Sequence, residues 1–148
     1  MKLSTKGRYG LRAMLDLAIN SSGDHVSLYS IAERQSISEN YLEQVFSTLR
    51  KSGLINSVKG AQGGYILAVP ASKISVGVIL RVLEGDLSVA DEDVEGVSPE
   101  NALKNCIKLS VWDKLNESIN QVVDSITLED LVNEYARMNP KEYVMYFI

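Results

Sequence analysis

Apolar residues change their spacing several times along the chain, and each change marks an element. Leu11, Met14, Leu15, Ala18 and Ile19 occupy the i, i+3, i+4, i+7 and i+8 positions of one helix face, which predicts a first helix beginning after Ser4 or Thr5. Asn20 to Asp24, with Gly23, supplies a stop and a loop. A short second helix reads from the N-cap Ser27 through Leu28, Ile31 and Ala32 to Gln35 and Ser36, with Ile37 in the turn. A third opens at Ser38, carries Leu42, Val45, Phe46 and Leu49 on its apolar face, and stops before Gly53. Two β-prone runs follow, Leu54 to Val58 and Tyr65 to Val69, and the Gly-rich stretch from Lys59 to Gly64 between them predicts a hairpin. After Pro70, the spacing predicts a helix from Ser75 to Leu83 that buries Val78, Ile79, Val82 and Leu83 and closes at Gly85.

Residues 86 to 101 break the pattern with Asp86, Asp91, Glu92, Asp93, Glu95 and Glu100 around Gly96 and Pro99, as a solvated acidic loop does. A long helix is expected from about Ala102 to Ile126, where Trp112, Leu115, Ile119, Val122 and Ile126 alternate spacings of three and four, the seam of a helix that meets another. Ile107, Val111 and Val123 lie on a different face, so the helix has one side for a partner and one for its own domain; a helix packed only within its chain is the competing reading. Thr127 caps a last short helix whose first turn holds Glu129 and Asp130, where acids favour the helix dipole. The apolar stretch Tyr143 to Ile148 ends the chain. The expected class is mainly α with a small β-hairpin, divided into residues 1–85, an acidic loop at 86–101, and a dimerisation helix with a C-terminal tail at 102–148.

Charge sharpens that division. The 148 residues carry a formal net charge of -4, but residues 1 to 81 hold ten Lys and Arg against five Asp and Glu, while the rest hold five against fourteen. A half at +5 suits a polyanion that the average conceals. No run approaches the roughly 18 to 20 apolar residues of a membrane span, and Met1 to Arg12 lacks the apolar core of a signal peptide, so a cytoplasmic protein with no membrane partner is expected.

Three short helices and a hairpin confined to the basic half make a winged helix-turn-helix, whose third helix enters the DNA major groove. Its polar face, Asn40, Glu43 and Gln44, carries the right chemistry: Asn and Gln pair bidentately with adenine, and Glu accepts from cytosine N4. Lys2, Lys6, Arg8, Arg12, Arg50, Lys51 and Lys59 flank these elements and suit phosphate. An ordinary amphipathic surface helix is the alternative. The hairpin favours DNA: a turn with Lys59 and Gln62 is a wing able to reach a minor groove, and it lacks the GxxxxGK[ST] phosphate loop of a nucleotide binder. No plausible Ser, His and Asp arrangement or metal-ligand cluster is present, so no catalytic residue, metal site or enzyme activity is expected. The lone His25 reads as a solvent-exposed loop residue.

The chain resembles the Rrf-type winged-helix transcription regulators. The similarity runs through Leu3 to Gly10, Ile37 to Gln44, Leu49 to Leu54, Ser57 to Tyr65 and Val82 to Gly85. It implies a homodimer on double-stranded DNA with an inverted-repeat operator, contacted by Ser38, Asn40, Tyr41, Glu43 and Lys59, with Tyr9 in the opening motif. Where many members carry Arg at the wing tip this chain has Lys59, which favours a phosphate or single-point contact over a bidentate one.

Iron–sulfur members of that family place three cysteines before the long helix. Here only the last position is matched, by Cys106, and carboxylates such as Asp91, Glu92 and Asp93 are poor ligands for such a cluster, so no cofactor is expected. Cys106 remains a candidate redox switch, with a plain structural thiol as the alternative. The Cys-poor loop, Asp124 to Leu131 and the aromatic ending resemble the cluster-free branch that represses cysteine and sulfur metabolism genes. That resemblance implies O-acetylserine thiol-lyase as a partner, which binds C-terminal tails ending in isoleucine, a role open to Tyr146, Phe147 and Ile148. A tail that packs on its own dimer is the alternative, and a module that chiefly captures the enzyme is the competing function.

Overall fold

Ser4, Ser27, Ser38, Ser75 and Thr127 each place a side-chain oxygen where it accepts from a backbone N–H in the first turn of a helix. Five of the helix starts are thus written in single residues. The computed structural model describes residues 2–93, 96 and 98–139. In chain order these form α1 (Thr5–Asn20), α2 (Leu28–Gln35), α3 (Glu39–Lys51), β1 (Ile55–Val58), β2 (Gly64–Leu67), a 3-10 turn (Ala71–Lys73), α4 (Val76–Glu84), α5 (Pro99–Ile107), a π turn (Lys108–Trp112), α6 (Asp113–Ser125) and α7 (Leu128–Met138). The mainly helical class with one antiparallel hairpin is as the spacing predicts. Ile55 pairs with Leu67 and Val58 with Gly64.

The main core gathers Met14, Leu17, Ile31, Leu42, Phe46, Leu49, Ile55 and Ile79 from α1 to α4 and the hairpin. α1 lies against α2, α3, α4, β2 and α7. Being surrounded, it buries Ala13, Met14 and Leu17 most deeply, while Leu11, Leu15, Ala18 and Ile19 are only partly covered. A single-stripe reading cannot find Leu17, because a central helix has no solvent face to define the stripe. In α4 the expected face is rotated: Val78 is exposed and Val82 half-buried, and Val76 and Leu80 turn inward. They form a second cluster with Leu87, against which Ile119, Val123, Ile126 and Leu131 pack.

The opening motif and the Val82 to Gly85 stretch meet at one carboxylate. Glu84 Oε1 accepts from the backbone N–H of Ser4 at 3.0 Å and of Gly7 at 2.9 Å, so α4 caps α1 across 80 residues. A Cβ on Gly7 would overlap that carboxylate and push the Glu84 side chain out of its capping position.

The arm departs from expectation in three ways. Its helix starts at Pro99 rather than Ala102, with proline in the first turn. A π turn interrupts it at Lys108–Trp112, inserting a residue and rotating everything that follows. Ile126 lies beyond α6 in extended backbone, and its carbonyl accepts from Val76 N–H at 2.8 Å. With Ile119 it belongs to the intramolecular packing, so the expected seam divides. Trp112 is half-buried, and Leu115 and Val122 are exposed. The exposed apolar positions from α5 to α6 are Leu103, Ile107, Leu109, Val111, Leu115 and Val122; all but Leu109 follow one another at spacings of four, four, four and seven. About five turns of regular helix take roughly 18 residues; the π turn supplies the one extra that keeps this longer series on one face.

The acidic loop is anchored where it leaves α4. Leu87 is buried, and Val89 N–H donates to Asn116 Oδ1 at 2.7 Å. Arg81 clamps α4 to α6 through Asp124, Nη1 to Oδ1 at 2.6 Å and Nη2 to Oδ2 at 3.0 Å. The guanidinium holds the Asp124 carboxyl below its ordinary value. α7 returns to the winged half, with Leu128 fully buried in the main core and its capping box closed by Thr127 and Asp130.

Candidate nucleic-acid interface

Burial of Leu42, Val45, Phe46 and Leu49 fixes the rotation of α3 and leaves Asn40, Glu43, Gln44 and Arg50 exposed. The turn ahead of it is made by Ser36 in left-handed backbone at φ 55°, with Ile37 buried beneath and its N–H donating to the Ala32 carbonyl at 3.1 Å. Ser38 accepts from Tyr41 N–H at 3.3 Å, and its hydroxyl proton is left for another acceptor.

α2 is held to α1 by a buried carboxylate. Asp16 is 4% exposed and accepts from Arg34 Nη2 at 2.8 Å, Arg34 Nε at 3.0 Å, Gln35 Nε2 at 2.7 Å and Asn20 Nδ2 at 3.2 Å. The accepting Asp16 carboxylate in turn pushes the Arg34 pKa up. Nothing in the periodicity marks this residue, since a charged position on an otherwise apolar face reads as a boundary.

Two contacts fix the wing to the helices. The rings of Phe46 in α3 and Tyr65 in β2 meet edge to face, 5.0 Å apart at 89°. Val26 and Tyr65 exchange both backbone hydrogen bonds at 2.8 Å, forming a bridge ahead of α2. A groove of about 420 Å³ results, with Tyr29, Glu39 and Glu43 on the helix side and Val58, Lys59 and Gly60 on the wing side. Glu43 and Lys59 therefore face one concavity, as a helix-plus-wing reader needs. Tyr29 is an addition the sequence reading missed. It is exposed, and hydrogen bonding to Glu33 holds its phenol above the ordinary value, so it stays a neutral donor.

Along α1, the rings of Tyr9 and Tyr41 meet edge to face at 6.2 Å, and the Arg12 guanidinium stands 4.8 Å from the centre of the Tyr9 ring. Arg8 is 6.0 Å from the same ring. Arg8 and Gln62 are exposed and Lys6 is half-buried. Lys2 stands apart, in a cleft with Glu84 and Asp86 at the end of α4. His25, expected as a solvent-exposed loop residue, is half-buried, and its Nε2 meets the Gln62 carbonyl in the wing.

Cys106 is exposed on α5. One thiol per chain does not fit an iron–sulfur cluster, and the carboxylates of the preceding acidic segment are hard ligands. Among the described residues no three His, Cys, Asp or Glu side chains are placed to hold a metal, and no helix is long and apolar enough to cross a membrane. Tyr146, Phe147 and Ile148 lie outside the described residues.

Comparison with known proteins agrees with this architecture. The HTH-type transcriptional regulator CymR of Bacillus subtilis (strain 168) is 42% identical over 146 residues, covering 99% of each chain. Its solved structure, described as that of the global cysteine regulator of B. subtilis, superposes with a TM-score of 0.75 at 40% identity, covering 90% of this chain and 98% of that one. The structure of T. potens IscR gives 0.72 at 49% identity, covering 91% and 88%. These relatives are transcriptional regulators rather than enzymes. The Rrf2 family model, described as an iron-dependent transcriptional regulator, matches residues 3–134, and the chain belongs to this family of transcriptional regulators.

Proposed function

We propose that the protein acts as a homodimer that reads an inverted-repeat operator, with α3 in the major groove and the wing along the adjacent minor groove, and represses genes of cysteine or sulfur metabolism. The observation that carries the reading is the single groove shared by Glu43 of α3 and Lys59 of the wing. Asn40, Glu43 and Gln44 supply base-edge chemistry, while Ser38, Tyr9, Tyr41, Lys6, Arg8, Arg50, Lys59 and Gln62 supply contacts to the backbone. Residues 1–85 serve as the reading unit and residues 102–139 as the pairing arm. Whole-length similarity to CymR supports the class of genes. Mapping bound sites across the genome tests that assignment: sites beside sulfur and cysteine genes are expected, and a set without them removes it. O-acetylserine thiol-lyase, reached through Tyr146, Phe147 and Ile148, is the proposed partner enzyme.

Pairing is supported by the exposed apolar face of the arm, where Leu103 is 75% and Val122 57% exposed. Covering such a face against a second copy removes it from water and sets two α3 helices about 34 to 36 Å apart, one turn of DNA. Val122→Asp places a charge on this face without entering the core. The expected result is a single-chain mass in sedimentation and affinity for the inverted repeat reduced about 100-fold or more, as loss of bivalent binding implies. Ile119→Asp is a poorer probe, because Ile119 packs on the second cluster of its own chain. A monomeric Val122→Asp protein with undiminished affinity would contradict the dimer reading.

A further inference from the structure

A cavity of about 460 Å³ opens between α1, the end of α2 and α7. Asp16 lines it, but that charge is already spent: Oδ1 accepts from Arg34 Nη2 and Asn20 Nδ2, and Oδ2 from Arg34 Nε and Gln35 Nε2. Arg12 is the second guanidinium in the lining, and among the described residues it forms no ion pair. Its contact with the Tyr9 ring offers no oxygen acceptor to its N–H groups. Tyr135 of α7 adds a phenol whose oxygen accepts from Asn139 Nδ2 at 3.1 Å, which leaves its own proton to donate.

Arg12 and Tyr135 thus bring unspent donors to a lining whose two guanidinia and one carboxylate leave a single positive charge uncompensated. Leu15 and Ile19, both half-buried, supply an apolar wall. An inorganic anion fills little of such a space, and a dianion exceeds the one charge on offer. The guest that matches charge, donors and wall together is an organic monocarboxylate with an apolar body, and small-molecule pockets run to about 300 to 1,000 Å³. The position of the cavity matters as much as its chemistry. Gln35 is the last residue of α2, Ser36 makes the left-handed turn and Ser38 caps α3, so one wall leads directly into the reading helix. Tyr135 stands on α7, in the arm.

We propose that this cavity is an effector site for a small organic monocarboxylate, its carboxylate held by Arg12 and the Tyr135 hydroxyl and its apolar body against Leu15 and Ile19. Bound there, the ligand ties the arm to the reading unit beside the turn from α2 into α3. An arm already fixed loses less freedom when the protein meets DNA, so occupancy raises operator affinity. That second step rests on the operator-reading function proposed above, while the binding site does not.

The probe is 3-phenylpropanoate, with 3-phenylpropanamide as its uncharged counterpart and inorganic phosphate as a charge without a body. Titrations of the full-length protein are followed through its backbone and guanidinium 15N signals. The acid should bind with a Kd of about 1 mM or tighter, and the amide and phosphate at least about tenfold more weakly. Shifts should centre on Arg12, Gln35 and Tyr135. Arg12→Gln, at an exposed position, should weaken the acid to the level of the amide, and Tyr135→Phe, which keeps the ring, should cost about fivefold. With a fluorescent operator duplex at fixed ionic strength, saturating acid should raise wild-type affinity about fivefold and leave the affinity of the Arg12→Gln protein where it was. No saturable binding of the acid, equal binding of acid and amide, shifts centred elsewhere, or undiminished binding to Arg12→Gln would each overturn the site. A filled cavity with unchanged operator affinity would overturn the effector role. A protein that binds the acid through Arg12 but binds no duplex, with or without it, would instead overturn the operator reading and leave the site standing.

Discussion

Gly64→Val is expected to abolish most operator binding while leaving the helical core folded. A side chain at this position would overlap the Val26 carbonyl and crowd Ser27 N, and both are backbone atoms that cannot rotate away. The strand must then move off. Moving it breaks the two Val26–Tyr65 hydrogen bonds and draws Tyr65 from the Phe46 ring. Two backbone bonds at about 1 kcal/mol each, plus an aromatic contact of about 0.5 to 1.5 kcal/mol, put the local loss near 3 kcal/mol. A wing detached by that much no longer faces α3 across the groove, so operator affinity should fall by about 100-fold. Helical circular dichroism should stay near wild type, because Met14, Leu17, Ile31, Leu42, Leu49 and Ile79 of α1 to α4 belong to one buried cluster. Wild-type affinity in this variant would show that the wing is not part of the reading surface.

Asp16→Ala should produce the largest loss of stability from a polar position. The carboxylate is buried and accepts from three side chains, so its removal strands the Gln35 donor and leaves a guanidinium without its counter-charge, while Asn20 keeps its bond to the Asp16 backbone carbonyl. Breaking a fully buried pair costs about 3 to 5 kcal/mol. The Arg34 side chain is 40% exposed and regains water, which lowers the expected cost to about 2 to 3 kcal/mol. Thermal melting should drop by roughly 5 to 10 °C for a chain of this size. Asp16→Asn keeps one acceptor and should fall between. Because Asp16 ties α2 to α1, the variant should also lose operator affinity below its melting point, while an exposed control such as Asp91→Ala changes neither.

The helices of the winged half were legible because their ends are local. A serine at each start, glycine past α3 and α4, and apolar residues at helical spacing act within a few positions, and the hairpin is marked by its glycines. The arm was harder. A π turn leaves no signature in residue types, yet it moves the apolar face from the expected Trp112 to Ile126 seam to the series from Leu103 to Val122. Ile126 fits a heptad in the sequence but is taken by a backbone bond to Val76, 50 residues earlier. Asp16, Glu84 and His25 were missed for the same reason. Each works through partners 18 to 80 residues away, and periodicity carries no information at that range. The candidate reading residues Asn40, Glu43 and Gln44 were legible because their exposure is the complement of a clear apolar stripe.

The central claim is that α3 reads bases while the wing supplies affinity, and it is tested most directly by titrating Glu43→Ala and Lys59→Ala against an operator and its single base-pair variants over a range of salt. Lys59→Ala should weaken every duplex by the same factor and reduce the salt dependence by about one counterion. Glu43→Ala should lose about 1 to 3 kcal/mol of discrimination at one base pair in each half-site and leave the other positions as they were. Equal weakening by both variants on every sequence would contradict the account, because α3 would then be holding phosphate and not reading bases.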